Sequence, residues 1–122
     1  MSKFLIRAVA SGFKFDLYAP NGQVIASSEV YDTKAACRKG IGSVRKNAST
    51  CKVEDQTEEG YSPFSNPKYE LFRDKAGQYR FRLKATNGKI IAVSEGYGTK
   101  AACENGIDSV KTNAPEAETV EE

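Results

Sequence analysis

The chain has no histidine and no tryptophan, a single methionine, and three cysteines in 122 residues. Without histidine there is no Ser-His or Cys-His nucleophilic pair, and neither the commonest general base at neutral pH nor the commonest metal ligand is available. Carboxylate and lysine chemistry stay open, so the absence narrows the enzyme classes without closing them. Cys37, Cys51 and Cys103 make no C-x-x-C pair. An odd number at such spacings argues against a disulfide framework and a zinc site, and no metal or cofactor is expected. No apolar run approaches the roughly 20 residues that a membrane helix needs. The N-terminus, MSKFLIRAVASGFKFD, matches a signal peptide poorly because Arg7 interrupts its short apolar stretch. The expectation is a soluble, cytoplasmic, monomeric protein without membrane contact.

What is present is a core and a repeat. Hydrophobic residues make up 39% of the chain, with six Phe and six Tyr among them, enough to build one domain at this length. Slid by 66 positions, residues 13–49 align with 79–115 without a gap, and 21 of the 37 positions are identical. Upstream the match extends more faintly, Leu5 meeting Leu71 and Arg7 meeting Arg73. The most complete match is SEVYDTKAAC, 28–37, against SEGYGTKAAC, 94–103, which differ only at the third and fifth places. Between the copies, EDQTEEGYSPFSNPK is rich in turn formers and acidic residues and reads as a linker. The organisation expected is a single domain over 1–122, with repeat 1 at 3–53, a linker at 54–68 and repeat 2 at 69–121.

Each copy carries the same ordered signals. Phe13, Phe15, Leu17 and Ala19 alternate with polar residues, as do Tyr79, Phe81, Leu83 and Ala85, the pattern of a half-buried strand. Asn21-Gly22 and Asn87-Gly88 follow, the dipeptide suited to a two-residue type I′ turn. That register sets Leu17 opposite Ala26 and Leu83 opposite Ala92. The period then changes. Thr33 and Thr99 are N-cap residues. Behind them Cys37, Ile41, Val44 and Ala48 repeat at helical spacing, as do Cys103, Ile107, Val110 and Ala114. Gly40 and Gly106 sit on or beside that stripe. A mid-helix glycine costs about 1 kcal/mol against alanine, so keeping it twice predicts close packing of the helix onto a sheet. With an earlier strand in each copy (KFLIRAV and YELFR), the unit is β-β-β-α. Two such units give an α+β fold with one shared antiparallel sheet and two helices on one face.

The run YELFRDKAGQYRFRLKATNGKIIAVSEGYGTKAACENGIDSVK, 69–111, resembles the YegP-like family of small bacterial proteins, and the first copy looks like a more divergent member of the same repeat. The resemblance implies a tandem β-β-β-α-β repeat whose units form one sheet and exchange their last strands. It thereby implies short strands near 51–55 and 117–121, where CKVED and AETVE show weak strand patterns of their own. The family is of unknown function, so the resemblance implies no activity.

Three features invite a functional reading. Residues 3–50 hold eight basic and three acidic side chains and 69–114 hold eight and five, while the linker and tail are acidic. A basic body of this kind can bind nucleic acid weakly and non-specifically. The candidate residues are Arg80, Arg82 and Lys84 on one strand face, with Arg73 on the neighbouring strand and Tyr18 and Tyr31 to stack on bases. The plainer alternative is a solvated strand face, since the matching positions in copy 1 are Lys14, Asp16 and Tyr18. Cys37 and Cys103 read as small buried side chains rather than redox thiols, which leaves Cys51 as the candidate reactive thiol. Glu29 and Glu95, near Lys34 and Lys100 and beside a repeated tyrosine, suggest an active site less readily than a strand-to-helix corner. No nucleophile, metal-ligand set or phosphate-binding loop accompanies them. The chain is therefore expected to be a non-enzymatic interaction or structural module, open to an unknown protein partner; the alternative is a nucleic-acid accessory protein, and behind it a small hydrolase or transferase working through Glu29 or Glu95.

Overall fold

The computed structural model describes residues 1–50 and 52–122. The expectation of a reactive thiol at Cys51 lies outside the described residues. Repeat 1 runs β1 (Lys3–Val9), β2 (Gly12–Tyr18), β3 (Val24–Ser27), α1 (Lys34–Asn47), β4 (Val53–Asp55). Repeat 2 runs β5 (Lys68–Arg73), β6 (Tyr79–Lys84), β7 (Ile90–Val93), α2 (Lys100–Asn113), β8 (Glu118–Glu121). All eight strands form one sheet in the order β4-β5-β6-β7-β3-β2-β1-β8.

The last strand of each repeat crosses to the other one. β4 pairs with β5 and β8 pairs with β1, both in parallel. The six inner strands are antiparallel, as expected, and these two outer pairs make the sheet mixed. The weak sequence signal of β4 and β8 has a physical reason. They are edge strands of three and four residues, so their order comes from pairing with the other repeat and not from their own propensity.

Both helices pack on one face, over Phe4, Ile6, Phe15 and Leu17 from the first half and Tyr69, Leu71, Phe81 and Leu83 from the second, all essentially inaccessible to solvent. α1 also reaches β6 and β7, and α2 reaches β3, so each helix seals the seam between repeats.

Leu17 pairs with Ala26 and Leu83 with Ala92, as the sequence predicts, but the turn that sets this register is different. Among the described residues no non-glycine has positive φ; Gly22 is at 85° and Gly88 at 83°. Gly22 N donates to Ala19 O (2.9 Å) and Ala19 N to Gln23 O (2.9 Å), so three residues, 20–22, form the loop. This is a type I turn with a left-handed glycine, not the two-residue type I′ turn. The longer loop shifts the register by one, and a bulge just beyond it restores the Leu17–Ala26 pair.

A second correction concerns the strand before each hairpin. Ile6 faces Phe15, and Leu71 faces Phe81, which is the counterpart of Phe15. Leu71 therefore corresponds to Ile6 and not to Leu5, because Leu71 and Phe81 are ten positions apart in the chain whereas Ile6 and Phe15 are nine. A one-residue slip moves a strand's side chains to the opposite face.

Candidate functional site

The repeated decapeptide is a joint. Ser28 Oγ accepts from Phe15 N (2.9 Å) and donates to Glu29 O (2.7 Å), which extends the β2–β3 ladder past its last regular pair. Ser94 does the same with Phe81 N (2.9 Å) and Glu95 O (2.8 Å). Thr33 and Thr99 cap the helices by accepting from Ala36 N (3.0 Å) and Ala102 N (3.1 Å). Tyr31 stacks on Phe15 at 6.4 Å and Tyr97 on Phe81 at 6.5 Å. Each tyrosine slides under the following helix where Gly40 or Gly106 leaves room, since a Cβ at either glycine would clash with the phenol.

The lysines of the joint do not pair with Glu29 and Glu95. Lys34 and Arg38 hold Glu121 of β8, and Lys100 holds Asp55 of β4 together with Glu58. Glu121 and Asp55 are equivalent positions, 66 residues apart. The repeated lysine thus clasps the strand arriving from the other repeat. Glu29 and Glu95 are exposed, and among the described residues their carboxylates take no hydrogen-bond or ion-pair partner. The sequence could not show the clasp, because its acidic partners lie in segments with little pattern of their own.

The basic stripe is only partly assembled. Arg80, Arg82 and Lys84 lie on the face of β6 away from the helices, opposite Phe81 and Leu83. Arg73 lies on the helix side, stacked over the Tyr79 ring at 5.1 Å, a consequence of the one-residue insertion described above. Tyr31, packed on Phe15, is likewise on the helix side, whereas Tyr18 lies on the open face under Lys3. Carboxylates meet the stripe: Arg80 Nε bonds Asp74 (2.7 Å) and Arg82 Nε bonds Glu70 (2.6 Å), with Lys84 at 3.7 Å from Glu70. Beyond Glu70, Lys68 Nζ bridges Glu70 (3.2 Å) and Glu54 (2.6 Å), all three side chains being buried. Burial alone would raise the Glu70 carboxyl; bonds from Arg82 and Lys68 hold it below its ordinary value.

The thiols of Cys37 and Cys103 are fully buried. Burial pushes Cys37 up and Cys103 up to about 11, away from the thiolate that redox chemistry needs. Among the described residues no group of three or more His, Cys, Asp and Glu side chains converges to hold a metal ion. No helix among them is long and apolar enough to cross a membrane.

A cleft of about 330 Å³ opens where α1 of repeat 1 meets the β6–β7 hairpin of repeat 2. Tyr31, Lys39 and Ser43 stand on one side, Asn87 and Lys89 on the other, with Gly40, Ala85 and Ile91 between them. The sequence reading missed this cleft because its two walls are some 50 residues apart in the chain. The available signal was an asymmetry in the repeat. Of nine lining residues, seven have the same residue type at the equivalent position of the other copy; only Lys39 and Lys89 differ, their counterparts being Asn105 and Gln23.

The family model described as "Domain of unknown function (DUF1508)" matches this chain twice, over residues 8–55 and 74–121. The chain belongs to the DUF1508 family. A UPF0339 protein of Bordetella pertussis is 39% identical over 95% of this chain and 91% of its own length. A shorter UPF0339 protein, from Treponema denticola, is 56% identical over 54 residues, covering 44% of this chain and 93% of itself. The solution NMR structure of YegP from E. coli, a protein of unknown function, superposes with a TM-score of 0.79 at 33% identity, covering 98% of this chain and 91% of that one. Each match takes in the hairpin strands, the helix and the exchanged last strand of one repeat, and the YegP-like resemblance read from the sequence is the correct one.

Proposed function

We propose that the chain is a non-catalytic binding module, a pseudo-dimer fused into one polypeptide that acts as a monomer. One observation carries this reading. Apart from Glu29 and Glu95 and the hydroxyls of Tyr31, Tyr97, Ser43 and Ser109, the reactive or ionisable side chains repeated in both copies have structural partners: Ser28 and Ser94 in the ladder, threonine in the cap, lysine on the exchanged strand, cysteine in the core. Among the described residues Glu29 and Glu95 have no hydrogen-bond or ion-pair partner, and no metal-ligand set converges on them. The test is a turnover screen with ester, phosphoester, peptide and glycoside substrates, run beside a Glu29→Gln, Glu95→Gln variant. No activity above buffer is expected, and a turnover that the double variant abolishes overturns the proposal. Sedimentation of the full chain tests the monomer, and a concentration-dependent dimer refutes it.

Nucleic-acid binding through Arg80, Arg82 and Lys84 is the second reading, favoured by their sharing one strand face. Asp74 and Glu70 already offset the two guanidinium charges, which weakens it. Affinity for a mixed oligonucleotide at low and moderate salt decides between the readings. Phosphate contacts demand a steep loss with salt.

A further inference from the structure

We propose that the cleft between α1 and the β6–β7 hairpin is a binding site for a small phosphomonoester with an apolar body, its phosphate held by Lys39, Lys89 and the hydroxyls of Tyr31 and Ser43. The proposal deepens the reading of the chain as a non-catalytic binding module and rests on it.

The lining is rich in donors and, among the described residues, holds no carboxylate. Among the described residues Lys39 and Lys89 form no ion pair, unlike Lys34, Lys68, Lys84 and Lys100. The two lysines come from different repeats and line one cavity. Tyr31 Oη has no hydrogen-bond partner among the described residues, and burial raises its pKa, so it presents an O–H donor at neutral pH. Ser43 Oγ accepts from Asn47 Nδ2 (3.3 Å), which leaves its proton to donate. Asn87 Oδ1 is occupied by Lys89 N (3.0 Å), which leaves the Asn87 amide N–H₂ free.

A phosphate dianion, with three acceptor oxygens, suits this set. Lysine serves phosphate as a compact point charge with three rotatable donors. The backbone at Gly40 and the side chains of Ala85 and Ile91 supply an apolar wall that a bare inorganic anion would leave uncovered. The volume, about 330 Å³, falls within the range of small-molecule sites.

The repeat supplies an internal control. The fold duplicates the positions of this cleft, with Tyr97, Gly106 and Ser109 in the equivalent places, but there the two lysines are replaced by Asn105 and Gln23. The fold therefore does not require the lysines, since repeat 2 builds the same helix-on-hairpin contact without them. The only two differences in the lining fall together on opposite walls of one cleft.

The probe is phenyl phosphate, titrated into the full chain at constant ionic strength and followed by calorimetry and amide chemical shifts. One molecule is expected to bind, with shifts centred on Gly40, Ser43, Asn87 and Lys89, more tightly than inorganic phosphate. The Lys39→Asn, Lys89→Gln variant writes in residues that the other repeat already carries. It is expected to keep its melting temperature and to lose affinity by at least about tenfold, as befits two charge-assisted contacts. The reciprocal variant, Gln23→Lys with Asn105→Lys, is expected to raise the stoichiometry from one to two. Unchanged affinity in the lysine variant, or shifts centred on Arg82 and Lys84, overturns the site. Release of phenol from the bound probe supports the site and refutes the non-catalytic reading; absence of binding refutes the site and leaves that reading standing.

Discussion

Two glycines of α1, two residues apart, should respond to the same substitution with opposite signs. Helix propensity alone makes Gly→Ala stabilising by about 1 kcal/mol at either place. At Gly42 a Cβ meets nothing within 4 Å, and repeat 2 already carries Asp108 there, so the full gain is expected. At Gly40 a Cβ falls 2.7 Å from Tyr31 Cζ and 3.2 Å from Phe15 Cε2, and closer still to the Tyr31 hydroxyl. The ring cannot swing aside freely. It is stacked on Phe15 at an interplanar angle of 14°, and Tyr31 exchanges backbone bonds of 2.7 and 2.8 Å with Phe13. Overpacking of this kind costs about 1–3 kcal/mol, which exceeds the propensity gain and leaves Gly40→Ala destabilised by about 1 kcal/mol. Urea denaturation followed by circular dichroism resolves the difference, since a slope of about 1–3 kcal/mol/M separates the two variants by roughly half a molar or more. Gly40→Ala in a Tyr31→Ala background should turn stabilising, because the obstructing ring is gone. If Gly40→Ala stabilises the native chain as much as Gly42→Ala does, the contact does not explain the repeated glycine.

Two further expectations concern titrating groups. Burial alone would raise the Glu54 carboxyl, but bonds from Lys68 Nζ (2.6 Å), Gln56 Nε2 (2.6 Å) and Phe64 N (2.8 Å) hold it at about 2. A carboxyl lowered by folding stabilises fully above its unfolded value of about 4.3 and loses that stabilisation as pH falls towards its folded value. On the order of 3 kcal/mol should therefore disappear across that window, and Glu54→Gln should flatten the acid limb; a flat limb in the unaltered chain refutes the network. For the thiols, alkylation near neutral pH read by peptide mass spectrometry should leave Cys37 and Cys103 at background until urea unfolds the chain, and native labelling of either one refutes their burial.

Most of the fold was legible because strong local signals agreed with one another: alternation in β2 and β6, caps at Thr33 and Thr99, helical stripes ending at Ala48 and Ala114. The Leu17–Ala26 register emerged correctly from an incorrect turn, since the extra loop residue and the bulge cancel. Arg73, on the strand beside β6 as expected but on its helix side, shows the opposite case. One inserted residue between β5 and β6 has no signature in composition, but it reverses the face of each β5 residue relative to the β1 residue 66 positions earlier. The clasp of Lys34 and Lys100 and the cross-repeat cleft were not legible from local pattern. Both are contacts between halves, and their partners, Glu121, Asp55, Asn87 and Lys89, lie far along the chain.

The strand exchange bears on why the repeats differ where they do. β4 and β8 have no partner within their own repeat, so one unit alone leaves its last strand unpaired and its first strand uncovered at the sheet edge. Two identical units could complete each other, but by symmetry they would build two identical clefts: lysines in both or in neither. Covalent fusion removes that constraint. The joint, which serves both halves equally, stays the same: Ser28 and Ser94, Tyr31 and Tyr97, Thr33 and Thr99, Lys34 and Lys100. The positions that face outward between halves are free to diverge, and Lys39 with Lys89 against Asn105 with Gln23 is such a divergence. On this argument the informative residues in a fused DUF1508 chain are those that break the repeat in pairs across the seam, because the fold accounts for the ones that keep it.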